Sequence, residues 1–419
     1  MPGPAMIAPL AAMLIAVAPP APPPAPMTPA TTTYVLAGKA APGTVAVAPD
    51  MMFSTAAGHG YEPGGPGLFS VAVPPGNYGV TLTLGDPARA AVTTVKAESR
   101  RLMLDRVATA RGRTVTRSFV VNVRTPALPP PPANAPGGSA VRLNDREQGS
   151  RNWDDRLTLE LLGTPAVARI QVAPVTVPTV FLAGDSTVTD QPSEPAASWG
   201  QMLPALFDEG VAVANHAESG ETLKSFITEL RLDRILAEIR PGDWLFVQFG
   251  HNDQKAQWPQ THAPAATTYR DYLRVYAAEA RRRGATPVFV TSPERRSFEP
   301  DGRIKPTLAD YADAVRAVGR ELDLPVIDLN RATIAFYEAL GPARAPLAFN
   351  DGGRDATHHN GYGADQIARM VAAGIRTSGL PLARHLIAGR PYDPAHPDAP
   401  ESFTVPASAA RSDLRPRGN

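Results

Sequence analysis

The sequence predicts two fold classes in succession, an all-β sandwich followed by an α/β domain built on a five-stranded parallel sheet. Three observations predict them: short strand-like runs fill the first part of the chain, strands alternate with amphipathic helices in the second, and proline-rich stretches punctuate the first. The chain of 419 residues is long enough for both domains. We expect a leader over 1–30, the sandwich over 31–178, the α/β domain over 179–390 and a tail over 391–419.

The sandwich is predicted from short runs rich in Val, Thr, Leu and aromatic residues, separated by Gly, Pro and Asp. No apolar pattern of helical period persists there, and strands at this spacing are typical of a β-sandwich. The proline-rich stretch 125–138 is expected to be a long surface loop within the sandwich, the alternative being an interdomain linker. The predicted strands are 33–37, 44–48, 68–73, 77–84, 91–97, 114–123, 157–162 and 168–172.

The α/β domain is predicted from the alternation that begins at residue 179. Alternating strands and helices require a parallel sheet with helices on both faces, and the chemistry of such sheets gathers beyond the carboxyl ends of the strands. The predicted strands are 179–183, 211–214, 244–249, 287–291 and 325–329, and the helical stretches are 222–239, 268–283, 308–322 and 362–377.

Composition excludes several classes of protein. There are 41 Lys and Arg against 40 Asp and Glu, a net charge of +1, which argues against nucleic acid as the main partner. The chain has no cysteine, so disulfides, thiolate metal sites and a cysteine nucleophile are excluded. No cofactor is expected. No segment is long and apolar enough to predict a membrane span.

The N-terminus predicts export. The apolar stretch 5–18 has the length of a signal-peptide core, and a proline-rich tract follows it. No Lys or Arg precedes this stretch, and the first charged side chain is Lys39. We therefore expect a secreted or periplasmic protein, with a disordered tail from a misassigned start codon as the alternative.

Polar residues with complementary chemistry follow the predicted strands. Ser186 comes just after the first strand, where Gly184 permits a tight turn. A serine hydroxyl becomes a nucleophile only when a base removes its proton, and His358 is the candidate base. Asp355 lies three residues before it, so one turn of local structure brings its carboxylate to the imidazole Nδ1 while Nε2 faces the serine.

Acyl transfer also needs donors for the negative charge that develops on the substrate oxygen. The backbone N–H groups of Ser186 and Gly220 and the side-chain amide of Asn252 are candidates, because each follows one of the first three strands of the α/β domain. Glycine at 220 lets the backbone approach the substrate closely. His358, His359 and Asp355 also suggest a metal site, but no further ligand falls in a suitable spacing, and no metal is expected.

Four blocks of this sequence resemble the SGNH (GDSL-like) hydrolases: Gly184-Asp185-Ser186, Gly220, Gly250-x-Asn252-Asp253 and Asp355-x-x-His358. The strings FLAGDSTVTDQ, NHAESGET, FGHNDQ and DATHHNGYGA look like the rhamnogalacturonan acetylesterase branch. The stretch NWDDRLTLE at 152–160 is similar to an N-terminal β-sandwich extension of some bacterial members.

This resemblance implies a flavodoxin-like three-layer α/β/α domain preceded by a galactose-binding-like sandwich. It also implies release of acetate from acetylated pectin. Ser186, Asp355 and His358 would form the catalytic triad, and Ser186, Gly220 and Asn252 would form the oxyanion hole. The alternatives are the same chemistry on acetylated xylan or a small acyl ester, transfer of the acetyl group to a sugar, and a carbohydrate-binding relative without activity.

Three residues are candidates for contact with an acidic sugar chain. Trp258 lies in the loop after the third strand of the α/β domain, where an indole ring can stack on a sugar. Arg295 and Arg296 follow the fourth strand, and a guanidinium group suits paired contacts to a carboxylate. Ordinary surface arginines are the alternative. The expected partner is an acetylated pectic polysaccharide or oligosaccharide, with neither nucleic acid nor membrane involved.

Overall fold

The structure, a computed structural model, describes residues 30–63, 67–389 and 391–409. The predicted leader, apart from Ala30, lies outside the described residues. The first ten strands are β1 (Thr32–Val35), β2 (Val45–Ala46), β3 (His59–Tyr61), β4 (Leu68–Ala72), β5 (Gly76–Leu84), β6 (Ala91–Ala97), β7 (Arg101–Thr109), β8 (Val115–Val123), β9 (Arg156–Thr164) and β10 (Val167–Pro174). We call these strands and their connections the N-terminal β region.

Within the described residues, this region contains two five-stranded sheets, ordered β2-β1-β10-β5-β8 and β3-β4-β9-β6-β7. Their pairings are antiparallel except for β1 with β2, which is parallel. One hydrophobic cluster takes side chains from both sheets, among them Val80 and Ile170 from the first and Phe69 and Leu159 from the second. Both faces of this core are therefore β-sheet.

The proline-rich stretch lies between β8 and β9, strands of the two different sheets. Ala127 and Ala140 form an isolated bridge across its base. The stretch is thus a loop within the N-terminal β region, and the alternative of an interdomain linker is wrong. Strands β3 and β7 were not predicted from the sequence.

The remaining strands are β11 (Thr179–Gly184), β12 (Ala196–Ala197), β13 (Ala212–Asn215), β14 (Trp244–Gln248), β15 (Thr286–Val290), β16 (Val326–Ile327) and β17 (His359–Asn360). The helices are α1 (Trp199–Met202), α2 (Leu223–Thr228), α3 (Arg231–Leu236), α4 (Thr268–Arg282), α5 (Ala309–Glu321), α6 (Leu329–Arg344) and α7 (Gly361–Thr377). We call this part, from residue 179 onward, the α/β region. None of the helices in the described ranges is long and apolar enough to cross a membrane.

A parallel sheet of five strands forms the centre of the α/β region, in the order β13-β11-β14-β15-β16. The strand that begins the region, β11, is flanked by the next two, which is the flavodoxin-like order. Alternate side chains of each strand point to opposite faces, so Leu182 and Phe246 join one hydrophobic cluster while Phe181 and Leu245 join another.

The two hydrophobic clusters define the helical layers on either side of the sheet. The first cluster includes Trp199 of α1, Phe336 of α6 and Ile367 of α7. The second includes Phe226 of α2 and further residues of α4 and α5. The predicted α/β fold with a five-stranded parallel sheet is confirmed, and the outer layers are helical as expected.

The predicted helix over 222–239 is wrong as a single element. It divides into α2 and α3, because Leu230 adopts a left-handed conformation with φ of 62°. α2 starts with a capping box in which Thr222 and Ser225 each accept from the other's backbone N–H. The division starts α3 at Arg231, whose buried guanidinium pairs with Glu147 of the N-terminal β region. The helix α6 was not predicted.

The two regions are closely connected at both ends of the α/β region. Strand β10 ends at Pro174 and β11 begins at Thr179, so only residues 175–178 lie between them. The last described residues return to the N-terminal β region, where the Ser408 hydroxyl donates to the Glu160 carboxylate at 2.7 Å.

Candidate active site

The turn after β11 presents Ser186 at the carboxyl edge of the parallel sheet. Asp185 is completely buried, and its carboxylate accepts hydrogen bonds from the backbone N–H and the hydroxyl of Thr187 at 3.0 and 2.8 Å. The Gln191 amide donates to the Ser186 carbonyl oxygen at 2.8 Å. The turn is therefore fixed on both sides of the serine, whose side chain remains slightly exposed.

Glycine at 184 is required by packing and not by backbone conformation, because its φ is not in the left-handed region. A Cβ atom there would lie 2.5 Å from Val188 Cγ2 and 3.0 Å from the Gln248 carbonyl oxygen. The absence of a side chain lets the turn fold tightly against β14.

The structure brings Ser186, His358 and Asp355 together. His358 Nε2 lies 2.8 Å from Ser186 Oγ, and His358 Nδ1 lies 2.8 Å from Asp355 Oδ2. The other carboxylate oxygen of Asp355 accepts from the backbone N–H groups of Thr357 and His358 at 2.7 and 2.9 Å. The spacing of three residues thus forms a local turn in which the carboxylate and the imidazole face each other.

The charge on Asp355 is stabilised by these contacts. Burial on its own raises the pKa of this carboxyl group, but the hydrogen bond and charge interaction with His358 and the two backbone donors outweigh it and hold the pKa well below its usual range. An ionised Asp355 keeps the Nδ1–H of His358 directed toward itself, so Nε2 is left as the acceptor that faces Ser186.

The loop after β13 carries Gly220, and the loop after β14 carries Asn252. Gly220 has φ of 84°, a left-handed conformation that favours glycine. The Asn252 amide nitrogen donates to the Glu221 carbonyl oxygen at 3.0 Å and keeps a second hydrogen for another acceptor. The backbone N–H of Glu218 donates to the Gly184 carbonyl oxygen at 3.2 Å, which attaches this loop to the end of β11.

Two histidines near the site make hydrogen bonds of their own. His251 Nδ1 lies 3.2 Å from the Asp185 carboxylate. His359 is buried, and its Nε2 lies 2.7 Å from the Tyr337 hydroxyl. Burial lowers the pKa of His359 to about 3, so its ring is neutral at neutral pH. No group of three or more His, Asp or Glu side chains in the described ranges is arranged to hold a metal ion.

Trp258 is partly buried in the loop after β14, and the Lys255 ammonium lies 4.1 Å from the centre of its ring. Arg295 Nη2 donates to the His251 carbonyl oxygen at 3.3 Å, and Nη1 donates to the Thr307 hydroxyl at 3.2 Å. Both residues are near the loop that carries Asn252. Their contact with a sugar chain stays a prediction.

Arg296 contacts the loop that carries the Asp355 carboxylate. Its Nη2 donates to the carbonyl oxygens of Gly353 and Asp355 at 2.5 and 3.3 Å, and its guanidinium lies 5.1 Å from the centre of the Phe349 ring. The backbone N–H of Arg296 donates to the Ala356 carbonyl oxygen at 2.8 Å. Arg296 therefore supports this loop directly, and its contact with a sugar chain stays a prediction.

The sequence analysis did not identify two residues that support the nucleophile. Gln191 donates a hydrogen bond to the Ser186 carbonyl oxygen, and Arg146 donates one to Gln191. Arg146 Nη1 donates to Gln191 Oε1 at 3.2 Å. Gln191 follows the Gly184-Asp185-Ser186 block by only a few residues, so its proximity to the nucleophile was a usable signal. Arg146 comes from the N-terminal β region, and no local pattern connects it with the site.

The strand order and the sequence blocks at the strand ends define the class of this protein, which is a GDSL-like (SGNH) hydrolase with an α/β fold. Residues 182–366 match the family described as GDSL-like lipase/acylhydrolase. The chain belongs to this family and is a carboxylic ester hydrolase.

Relatives in Bacillus subtilis are similar to parts of this chain. Rhamnogalacturonan acetylesterase RhgT is 46% identical over 221 residues, which cover 50% of this chain and 94% of that protein. The probable rhamnogalacturonan acetylesterase YesY is 38% identical over 214 residues, 50% of this chain and 98% of that protein. The crystal structure of YxiM from Bacillus subtilis is 24% identical and covers 84% of this chain and 99% of that chain, with a TM-score of 0.48.

Proposed function

We propose that this protein is a serine esterase that removes acetyl groups from acetylated rhamnogalacturonan, a pectic polysaccharide. The observation that carries the proposal is the pair of 2.8 Å contacts that connects Ser186 with His358 and His358 with Asp355. The names of two similar proteins, a rhamnogalacturonan acetylesterase and a probable rhamnogalacturonan acetylesterase, support the choice of substrate.

In the first half of the proposed mechanism, Ser186 Oγ attacks the acetyl carbonyl carbon while His358 Nε2 accepts the hydroxyl proton. The negative charge that develops on the carbonyl oxygen is stabilised by the N–H groups of Ser186 and Gly220 and by the Asn252 amide. His358 then donates its proton to the sugar oxygen as the bond to the acetyl carbon breaks. The products are a free sugar hydroxyl and acetyl-Ser186.

In the second half, a water molecule attacks the acetyl carbonyl carbon and gives its proton to His358. The tetrahedral intermediate collapses, the bond to Ser186 Oγ breaks, and His358 returns the proton to that oxygen. Acetate leaves. Asp355 stabilises the imidazolium that forms in each half-reaction, and no cofactor takes part.

The remaining expectations belong to the same proposal. Trp258, Arg295 and Arg296 would contact the sugar chain, and the two arginines would suit the carboxylates of galacturonate. The protein would act after secretion or in the periplasm. Its N-terminal region, over about 31–178, would be a galactose-binding-like sandwich, followed by the hydrolase domain over 179–390 and a tail.

The test compares the wild type with Ser186→Ala and Asp355→Asn on acetylated rhamnogalacturonan, acetylated xylan and p-nitrophenyl acetate. We expect acetate release from the pectic polymer, reduced by about 10⁴-fold or more in Ser186→Ala, since the nucleophile is lost. Asn in place of Asp355 favours the wrong tautomer of His358 and should lower kcat by about 10⁴-fold.

Activity that survives in Ser186→Ala would contradict the mechanism. Acetate release from xylan with none from pectin would overturn the substrate assignment and leave the mechanism standing. Circular dichroism of each variant verifies that the fold is retained.

A further inference from the structure

After the proline-rich loop, the connection between β8 and β9 packs against the α/β region. We call residues 142–147 the docking turn. The backbone N–H of Arg142 donates to the Glu229 carbonyl oxygen at 3.0 Å. Asn144 Oδ1 accepts from the backbone N–H groups of Arg146 and Glu147 at 2.9 and 3.2 Å, so the turn is held by its own side chain.

Arg146 connects this docking turn with two loops of the site at once. Its Nη1 donates to Gln191 Oε1 at 3.2 Å, and the other end of the Gln191 amide holds the Ser186 carbonyl oxygen. Its Nη2 donates to the Ser219 hydroxyl at 2.8 Å and also contacts the Glu218 carboxylate. Ser219 immediately precedes Gly220, so one guanidinium links the turn that carries Ser186 with the loop that carries Gly220.

Glu147 supports Glu221, the residue that follows Gly220, through Arg231. Its carboxylate accepts from Arg231 Nη1 and Nη2 at 2.8 and 2.6 Å, and Arg231 Nε lies 3.4 Å from the Glu221 carboxylate. The Glu221 carbonyl oxygen in turn accepts the Asn252 amide at 3.0 Å. The docking turn thus reaches the residues on both sides of Gly220, and through Glu221 it also reaches Asn252, so it supports two of the three donors expected in the oxyanion hole.

These contacts are buried, so their loss costs more free energy than the loss of a surface contact. The Arg146 side chain is only 6% exposed, and Glu218 is wholly buried, where desolvation raises its pKa and the Arg146 charge opposes that rise. The planar fork of arginine reaches three acceptors that no other cationic side chain spans in this geometry. Without it, Glu218 keeps a buried carboxyl group lacking its arginine partner, and both loops lose a fixed contact.

We propose that Arg146 is a positioning residue of the esterase site, supplied by the N-terminal β region. It fixes the oxyanion donor of Gly220 relative to the Ser186 nucleophile through Ser219, Glu218 and Gln191, without touching the substrate. The residue lies outside the 182–366 stretch that matches the hydrolase family. This inference rests on the proposed esterase mechanism.

The experiment measures kcat and KM for p-nitrophenyl acetate with full-length Arg146→Gln and Arg146→Lys. This small ester does not depend on contacts with a sugar chain. We expect kcat of Arg146→Gln to fall about 10²-fold with little change in KM, because displaced oxyanion donors cost about that much. Arg146→Lys keeps the charge and recovers part of the loss.

The matched control is Arg234→Gln. Arg234 also crosses between the regions, since its Nε donates to the Thr125 carbonyl oxygen at 2.9 Å and its Nη1 pairs with Glu238 at 2.6 Å. This hydrogen bond and ion pair go to neither site loop, so its variant should retain the wild-type kcat. A fall in kcat as large as that of Arg146→Gln would overturn the proposal, since any loosening of the interface would then suffice.

A double-mutant cycle of Arg146→Gln with Ser219→Ala separates positioning through this hydrogen bond from general loss of stability. Because Arg146 acts on Gly220 through the Ser219 hydroxyl, the double variant should lose little more kcat than Arg146→Gln alone. Effects that multiply would contradict the proposal. Ser219→Ala removes the hydrogen bond between Arg146 and Ser219 without leaving a buried charge. If Arg146→Gln does not fold, Ser219→Ala decides the question on its own. A reduced kcat in Ser219→Ala supports the inference, and a wild-type kcat overturns it.

The same assays distinguish this inference from the proposed function. A wild type without esterase activity, or an active Ser186→Ala variant, would defeat the function itself. An active wild type, an inactive Ser186→Ala and a folded Arg146→Gln with normal kcat would defeat only the role of Arg146.

Discussion

Two carboxyl groups at the edge of the parallel sheet have pKa values that are shifted in opposite directions. Asp355 is only half-buried and faces His358, so its pKa lies below the usual range. Asp253 is fully buried, and burial raises its pKa to about 8 although its carboxylate accepts the Leu223 N–H at 2.9 Å. The first is therefore charged at neutral pH, whereas the second is held largely neutral at the start of α2.

Asp253→Asn tests the protonation of this buried group. A folded pKa of about 8 lies above the unfolded value near 3.8, so the carboxyl group stabilises the fold at low pH and loses that contribution as pH rises through about 8. Asn keeps an oxygen for the Leu223 N–H and removes the proton. The free energy of unfolding of the variant should therefore fall less between pH 5 and pH 9, by up to about 1.4 kcal/mol per pH unit.

Urea denaturation at several pH values measures this difference. The control is Asp328→Asn. Burial alone raises the pKa of that carboxyl group, but its hydrogen bonds and charge interaction with Arg316 outweigh burial and hold the pKa below its usual value. It is ionised in both states at these pH values, so its removal should not change the slope. A pH dependence of Asp253→Asn that matches the wild type would show that the carboxyl group is charged in the folded protein.

At the residue scale, the sequence predicted those residues whose partners are near in the chain or at a strand end. Asp355 and His358 are three residues apart, and Ser186 directly follows a strand, so their meeting was predictable from spacing and topology. Arg146 and Ser219 are 73 residues apart and belong to different regions. Their contact depends on how the regions pack, which no local pattern encodes.

The end of β11 is an element whose packing controls the nucleophile. Gly184→Ala places a methyl group 2.5 Å from Val188 Cγ2 and 2.8 Å from Val188 Cβ, both on the turn that carries Ser186. A strand paired on both sides has little freedom to move, so the turn must shift instead. A displacement of about 1 Å costs about 10²-fold in rate, and we expect kcat for p-nitrophenyl acetate to fall by that order.

The comparison variant is Gly242→Ala, where a Cβ meets no atom within 4 Å but the left-handed φ of 93° adds backbone strain. That substitution should lower thermal stability while leaving kcat unchanged, since it lies before β14 and away from the site. A Gly184→Ala enzyme with normal kcat would mean that the turn accommodates the methyl group.

At the element scale, β7 and the break at Leu230 escaped prediction because packing between the two regions decides both. The first residues of β7 are buried on both faces, since Met103 joins the core of the N-terminal β region while Leu102 joins a cluster of the α/β region. Burial on both faces removes the alternation that marks a half-exposed strand. Leu230 breaks a regular helical pattern because contacts of the following Arg231 with the other region decide the local backbone.

At the scale of the whole molecule, the two regions are joined through buried arginines. Arg101 Nε lies 2.6 Å from the Asp190 carboxylate, with both side chains almost fully buried. Arg101 also donates to the Asn122 carbonyl oxygen and the Asn152 side chain at 3.0 and 3.1 Å. The Asp190 carboxylate accepts the Asn215 amide at 2.8 Å, directly at the end of β13.

Arg101→Met tests whether this ion pair holds the regions together. Removing the guanidinium leaves Asp190 buried without its cation, which should lower the free energy of unfolding by about 3–5 kcal/mol in urea denaturation. The control is Arg274→Met, because Arg274 pairs with Glu321 on the exposed surface. That variant should change stability little. Equal losses in the two variants would contradict a structural role for the buried pair.

The short connection between β10 and β11 has a further consequence. Four residues span at most about 14 Å when fully extended, so the N-terminal β region has almost no reach of its own. The N-terminal β region therefore cannot move along a polymer independently of the α/β region. Avidity that depends on two independently moving binding modules is excluded for this enzyme. Any sugar chain that touches both regions must lie along one fixed track, whose length sets how many residues of the polymer are engaged at once.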